Sequence, residues 1–165
     1  MTMEWNSFYG EDVSTSCIGC SLVNGEVDAS KFLLGCSENF TIGQDTEVPI
    51  PGFIVIGAKE HVNDISMFSE AQFAELMILV QKIIGVLKEK LGIESFDCFY
   101  KEKHTSHFHF CIFPRYEWMK EHGKGLSSIE PIYAYAIENM KTEENLQEIR
   151  RVLDLIKDEI SEYIN

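Results

Sequence analysis

The 165-residue sequence predicts a fold that mixes strands with helices in one domain, on three observations. Residues 106–115, Ser-His-Phe-His-Phe-Cys-Ile-Phe-Pro-Arg, alternate in character with a period of two, as a strand with two different faces does. Phe96–Tyr100 is a second strand candidate just upstream, and the polar loop between the two makes a β-hairpin. Two long segments, opening at Ser69 and Thr142, repeat apolar residues every three or four positions, the signature of helices with one buried face. A chain of this length buries a substantial core within one domain.

The alternating stretch carries the chemistry. His107, His109 and Cys111 share one face, and Phe108, Phe110 and Ile112 share the other. The expected strand has an apolar back on the core and a front bearing two imidazoles and a thiol. Such a row suits nucleophilic catalysis or metal ligation. The plain alternative is a half-buried strand face filled with hydrogen-bonded His and Cys. Phe113 keeps the front parity but is apolar. Pro114 has no N–H to donate and is expected to end the ladder.

Composition narrows the function classes. The formal charge is −13, from 27 acidic and 14 basic residues. That argues against a binder of nucleic-acid polymers or anionic membranes, while leaving room for a small phosphate ligand held by a local field. No apolar run is long enough to span a bilayer. Residues 1–16 are polar and acidic and lack a secretory apolar segment, so a cytoplasmic location is expected. The five Cys, an odd number with one Cys-x-x-Cys, fit a metal site or free thiols better than a disulfide framework.

In chain order, residues 1–16 read as a loose arm that Trp5, Phe8 or Tyr9 pins to the body. Cys17-Ile18-Gly19-Cys20 spaces two thiolates to chelate one tetrahedral zinc, with structural thiols and a redox pair as the other readings. A short helix or turn follows and ends near Gly25. Phe32–Leu34 and Phe40–Ile42 are short strand signals. Gln44–Glu47 is a polar turn, and Val48-Pro49-Ile50-Pro51-Gly52 is punctuation that no central strand tolerates. Phe53–Gly57 is a continuous β-branched run, expected to be buried on both faces. His61 then falls in a loop.

Ser69 and Gln72 have capping-box spacing. The stripe behind them is Phe73, Leu76, Met77, Val80, Ile83, Ile84 and Leu87, closed by Gly92 with Lys88 and Lys90 in the last turn. The hairpin tip, Lys101–Ser106, is either a solvated turn or a phosphate-contacting loop. After Arg115, Gly123 and Gly125 mark a flexible crossing, and Pro131–Met140 is a short helix bearing Tyr133 and Tyr135. Thr142 caps a final helix whose stripe is Leu146, Ile149, Val152, Leu153, Ile156 and Ile160, a helix for packing or for dimerisation.

Taken together, residues 17–118 resemble the histidine triad family of nucleotide hydrolases and transferases. Residues 1–16 are then an N-terminal arm, and 119–165 a C-terminal helical extension packed on the same domain. His107 and His109 match the first two of the family's three alternating His, Cys111 stands in the third place, and Pro114-Arg115 match its ending. Pro51-Gly52-Phe53-Ile54-Val55-Ile56 with Lys59 and His61 is similar to the family's Pro-Gly-His, strand and Lys-x-His segment.

The resemblance implies an α+β fold, an antiparallel β-sheet with helices packed on one side plus an extra C-terminal helix, assembled as a homodimer. It implies a structural zinc on Cys17, Cys20, His61 and His107, as in bacterial-type members. It places Asp45 on a nucleotide ribose. It makes His109 the nucleophile at an α-phosphate, forming a nucleotidyl-histidine that water then cleaves. His104, Thr105, Ser106 and, more weakly, Arg115 would hydrogen-bond the phosphate oxygens, with Cys111 beside them. The implied substrate is a dinucleoside polyphosphate or a nucleoside phosphoramidate. Three departures weaken the chemistry: Cys111 for the third His, Phe53 for the His of Pro-Gly-His, and Lys101–Ser106 for a Gly-rich loop. A thiol donates only weakly. The alternative is therefore a nucleotide-binding protein of this fold with little or no catalysis.

Overall fold

A computed structural model describes residues 2–100 and 107–165 of the chain. The hairpin tip, and with it His104, Thr105 and Ser106, lies outside the described residues. The N-terminal arm is not loose. It folds into a hairpin of β1 (Met3–Asn6) and β2 (Asp12–Thr15) in antiparallel register. The pin is Trp5, which is buried with Val27 and Phe32.

A short helix, α1 (Ile18–Val23), follows with Cys17 at its N-cap, and Gly25 turns the chain away at φ 71°. Five strands then make one antiparallel sheet: β3 (Leu33–Cys36), β4 (Phe40–Gln44), β5 (Ile54–Ala58), β6 (Ser95–Tyr100) and β7 (His109–Arg115). Their order is β3-β4-β5-β7-β6. β7, the histidine strand, thus lies between β5 and its hairpin partner β6.

The two long helices stack on one side of the sheet, in the expected α+β arrangement. They are α2 (Glu70–Leu91) and α4 (Glu143–Ile160). Between them and the sheet lies the main core, where Ile42, Ile54, Ile56, Phe108, Phe110 and Ile112 meet Leu76, Ile83, Ile149, Val152 and Ile156. The back of the histidine strand is therefore apolar and buried, as its alternation predicts.

Both helices start as their capping residues dictate. Ser69 Oγ accepts from Gln72 N at 3.2 Å, and Gln72 Oε1 accepts from Ser69 N at 2.9 Å. Gly92 ends α2 at φ 65°, and Thr142 Oγ1 accepts from Asn145 N at 3.2 Å to open α4. The α2 stripe is narrower than predicted, because Phe73 and Met77 are 44% and 40% exposed. Met77 lies about 100° around the helix from the buried Leu76, and Phe73 is in the first turn.

A third helix, α3 (Ile129–Asn139), lies on the opposite face. There Ile129, Ile132 and Ala136 bury Phe53, Cys111 and Phe113 in a second core. Front-face coverage is partial. The run Phe53–Gly57 was expected to be buried on both faces, and Phe53, Ile54 and Ile56 are buried, but Val55 and Gly57 stay half-open on the front. Pro114 does not end the ladder either. β7 runs on to Arg115, with Pro114 opposite Phe96 of β6. The pairing of β5 with β7 stops at Ile112, so Pro114 has one strand neighbour and its missing N–H is tolerated. At its other end β7 starts at His109, later than the alternation suggests. Phe108 instead donates its N–H to Val62 O at 2.7 Å and accepts from Ala58 N at 3.1 Å.

Glu75 fastens α2 to the β3–β4 turn. Its carboxylate accepts from Ser37 Oγ, from Asn39 N at 3.0 Å and from Asn39 Nδ2 at 2.6 Å. Burial alone raises the carboxyl's pKa. The bonds from Asn39 and Ser37 outweigh it, and the net shift is downward. A depressed folded-state pKa gives stability that is full above the unfolded value, about 4.3, and is lost as pH falls through the folded value. The gap in melting temperature between wild type and Glu75→Gln should therefore be widest near neutral pH. It should close as pH falls below about 4, which thermal melts across an acid series would measure.

Candidate metal centre and active-site cleft

Three separate segments bring Cys17, Cys20, His61 and His107 together. Their ligand atoms all lie within 4.8 Å of one another. Cys17 and Cys20 come from the N-cap and first turn of α1, His61 from the loop after β5, and His107 from the residue pair before β7. Cys17 Sγ is 3.5 Å from His61 Nδ1 and 3.4 Å from His107 Nδ1. Cys20 Sγ is 3.1 Å and 3.6 Å from the same two nitrogens. A tetrahedral zinc with bonds of about 2.3 Å to sulfur and about 2.0 Å to nitrogen sets a sulfur-to-nitrogen edge of about 3.5 Å. The donor set and its spacing fit such an ion.

His107 is oriented for this. Its Nε2 lies 2.6 Å from Ala58 O and must be the protonated nitrogen, which leaves Nδ1 to face the sulfurs. Burial lowers the His107 pKa against the opposing hydrogen bond to Ala58, with His61 and His109 pushing the same way as burial, and this favours the neutral ring, the state that ligates. Gly19 makes the approach possible. A Cβ there would sit 2.5 Å from His107 Cγ, so only glycine lets α1 lie against the ring. Lys59, two residues before His61, donates its ammonium to the carbonyls of Ser37 and Glu38 and so fastens the exit of β5.

Beside this cluster the open part of the front face becomes a cleft of about 580 Å³. Gly43, Val55, Gly57, His109 and Cys111 form its floor. Trp5, Ile18, Leu22 and Phe32 make one wall, and Tyr133, Ala134 and Ile137 of α3 make the other. Gly57 stands opposite His109 in the β5–β7 register, so no side chain from β5 crowds the imidazole. His109 Nδ1 is 3.1 Å from the carbonyl oxygen of His107. A ring nitrogen facing a carbonyl is the N–H, which puts the lone pair of the neutral ring on Nε2.

The remaining candidates divide. Asp45 is at the rim, where its Oδ1 accepts from Glu47 N at 3.0 Å and Val48 N at 2.8 Å and shapes the turn. Cys111 is on the floor but 4% exposed, packed in the cluster with Phe53 and Phe113. Arg115 is engaged elsewhere. Its Nε donates to Asp97, its Nη1 to Ser128 Oγ at 2.8 Å and its Nη2 to Gly125 O at 2.8 Å, which ties the crossing before α3 to β6. The two walls were not predicted as site residues. Trp5 and Phe32 read only as apolar, and α3 reaches the cleft from the far end of the chain.

The sequence matches no family model and no curated protein. In structure it is similar to a zinc-bound histidine triad family protein from Mycobacterium smegmatis, at 19% identity and a TM-score of 0.60, over 87% of this chain and 96% of that one. It is similar to a hypothetical histidine triad nucleotide-binding protein from Sulfolobus tokodaii, at 20% identity and 0.59, over 90% and 99%. A HIT family protein from Bacillus anthracis aligns at 22% identity and 0.57, over 84% and 94%. The fold is the histidine triad fold. Within it, His109 and Cys111 lie on the front of β7, beside the central strand β5, with His107 just before them, and the Cys and His cluster flanks that end of the row. Gly19→Ala should destabilise the protein by about 1–3 kcal/mol through overpacking against His107, read as a lower denaturant midpoint.

Proposed function

We propose that this protein binds a nucleotide or nucleotide conjugate in the cleft and cleaves it at the α-phosphate through a covalent nucleotidyl-histidine on His109. One observation carries the reading: the Nδ1–H of His109 is engaged by the His107 carbonyl at 3.1 Å, so the nucleophilic lone pair belongs to Nε2 on the cleft floor. The Nε2–P bond forms as the bond from phosphorus to the leaving group breaks, and the leaving group departs with the electron pair. Water then adds to phosphorus and the N–P bond breaks, which releases the nucleoside monophosphate and restores His109. Asp45, at the rim of the cleft, is proposed to hydrogen-bond the ribose. His104, Thr105 and Ser106 are proposed to donate to the phosphate oxygens. The nucleotide-binding and zinc-bound descriptions of the similar structures support the assignment.

Cys17, Cys20, His61 and His107 are the residues that would hold zinc. Bound there, zinc would cross-link α1, the loop after β5 and the approach to β7, and four protein ligands leave it no open position for water. The residues then act in series: the ligand ring of His107 fixes its own carbonyl, and that carbonyl fixes the tautomer of His109.

A second reading is a binding protein with little turnover. The packing of Phe53 and Cys111 with Phe113 favours it, because an apolar group stands where two polar ones are expected.

Incubation with a nucleoside phosphoramidate or dinucleoside polyphosphate labelled at the α-phosphate should leave acid-labile label on the wild type and none on His109→Ala. If neither protein is labelled while AMP still raises the melting temperature, the second reading replaces the first. Elemental analysis should find one zinc per chain, lost in Cys17→Ser, and chelation should lower the melting temperature. Metal-free protein of unchanged stability would refute the structural zinc.

A further inference from the structure

Arg115 closes the histidine strand, yet all three nitrogens of its guanidinium are engaged by groups that do not line the cleft. Nε donates to the Asp97 carboxylate on β6, Nη1 to Ser128 Oγ at 2.8 Å, and Nη2 to Gly125 O at 2.8 Å. The guanidinium also stands over the Phe113 ring, 5.1 Å from its centroid. The Arg115 side chain is 15% exposed and that of Asp97 24%, so these charge-assisted bonds form with little competition from water. A cation already paired with a carboxylate has little left for a phosphate. What Arg115 holds is the start of α3.

That start lacks support of its own. α2 and α4 open on side-chain caps, whereas Ser128, at the N-cap of α3, makes no capping bond. Its hydroxyl donates instead to Gly125 O at 2.7 Å and accepts from Arg115. The crossing ahead of it turns at two glycines, Gly123 at φ 112° and Gly125 at φ 64°, and glycine is the residue that loses most freedom when fixed. The far end of α3 is tied as well. Asn145 Nδ2, from α4, donates to Met140 O at 2.8 Å and to Pro49 O at 2.7 Å. Between these ties α3 has two faces. Ile129, Ile132 and Ala136 are buried in the second core, while Tyr133, Ala134 and Ile137 line the cleft at helical spacing. Ile137 is 41% exposed, an apolar side chain on the cleft wall.

We propose that Arg115 is a positioning residue of the cleft: by fixing the start of α3 it sets how closely Ala134 and Ile137 approach the bound nucleotide. The inference rests on the reading that a nucleotide occupies this cleft. A planar fork serves Asp97, Ser128 and Gly125 at once, which the single ammonium of lysine cannot do. Without the fork the crossing regains the freedom of its glycines, and the wall is no longer held at one distance. Binding then weakens, because the ligand must order the wall as it binds. His109 is held by the His107 carbonyl, so the reacting centre stays in place.

The test is calorimetric titration with AMP of wild type, Arg115→Lys, Ser128→Ala, Ile137→Ala and the double variant Arg115→Lys with Ile137→Ala. Arg115→Lys should raise the AMP Kd about 10-fold, and Ser128→Ala, which removes one bond of the clamp from the other side, should raise it less. In the Ile137→Ala background the effect of Arg115→Lys should shrink, because the wall contact through which it acts is already gone. With the α-labelled phosphoramidate, Arg115→Lys should need more substrate for half-saturation yet keep the wild-type single-turnover rate at saturation. Unchanged AMP affinity in Ser128→Ala and in folded Arg115→Lys overturns the proposal whatever the melting temperatures, since a residue that only stabilises the fold gives that result. A slower rate at saturation also overturns it and returns Arg115 to the phosphate. In either case the nucleotide reading stands. A wild type that does not bind AMP overturns both.

Discussion

The imidazole of His107 is the point on which the site depends. One nitrogen is pinned by Ala58 O at 2.6 Å, and the other faces two sulfurs at 3.4 and 3.6 Å. Its carbonyl holds His109. A single residue thus joins three tasks: it ties the histidine strand to the end of β5, it completes the cluster of two Cys and two His, and it selects the tautomer of its neighbour. The ring is 3% exposed, so each of these polar contacts is made where water does not compete. Gly19 is the steric counterpart, since any side chain there would displace the ring.

The sheet is used asymmetrically. Its back is a continuous apolar surface under α2 and α4. Its front is divided into a closed part beneath α3, an open part over Gly57 and His109, and the cluster at the far end. This division follows from what each strand contributes. Phe53, Cys111 and Phe113 make an apolar front where α3 packs, whereas Gly43 and Gly57 leave space beside His109. Burial on the back supplies the stability that lets the front carry a cleft and the half-buried imidazole of His109. Among the described residues no helix is long and apolar enough to cross a membrane.

Much of the fold follows from local rules. Period-two alternation located the back and front of β7. The Ser69 capping box and Gly92 bounded α2, and Thr142 opened α4, because each of these signals is satisfied within a few residues of chain. Failures came where a neighbour from elsewhere decided the outcome. The β-branched run of β5 was expected to be covered on both sides, and its front is half-open because α3 reaches only part of the sheet. Pro114 was expected to stop β7, and it is tolerated because β5 has already ended beside it. The arm was expected to be loose, and it is a hairpin because Trp5 finds Val27 and Phe32.

By itself the sequence determined the chemistry available: a Cys-x-x-Cys, a row of His and Cys on one strand face, and two capped helices, all set by residue type and spacing over short stretches. Only the tertiary structure decided which of these groups work together. Cys17 and His107 are separated by 90 positions and meet at 3.4 Å. Arg115, adjacent to the histidine row in sequence, turns instead to Asp97 and the crossing before α3. The helix that carries Tyr133 was legible in the sequence as Pro131–Met140, but the surface it covers was not, because a helix signal does not state which face of the sheet receives it. Periodicity encodes faces, and contact between faces is settled only when the whole core is assembled.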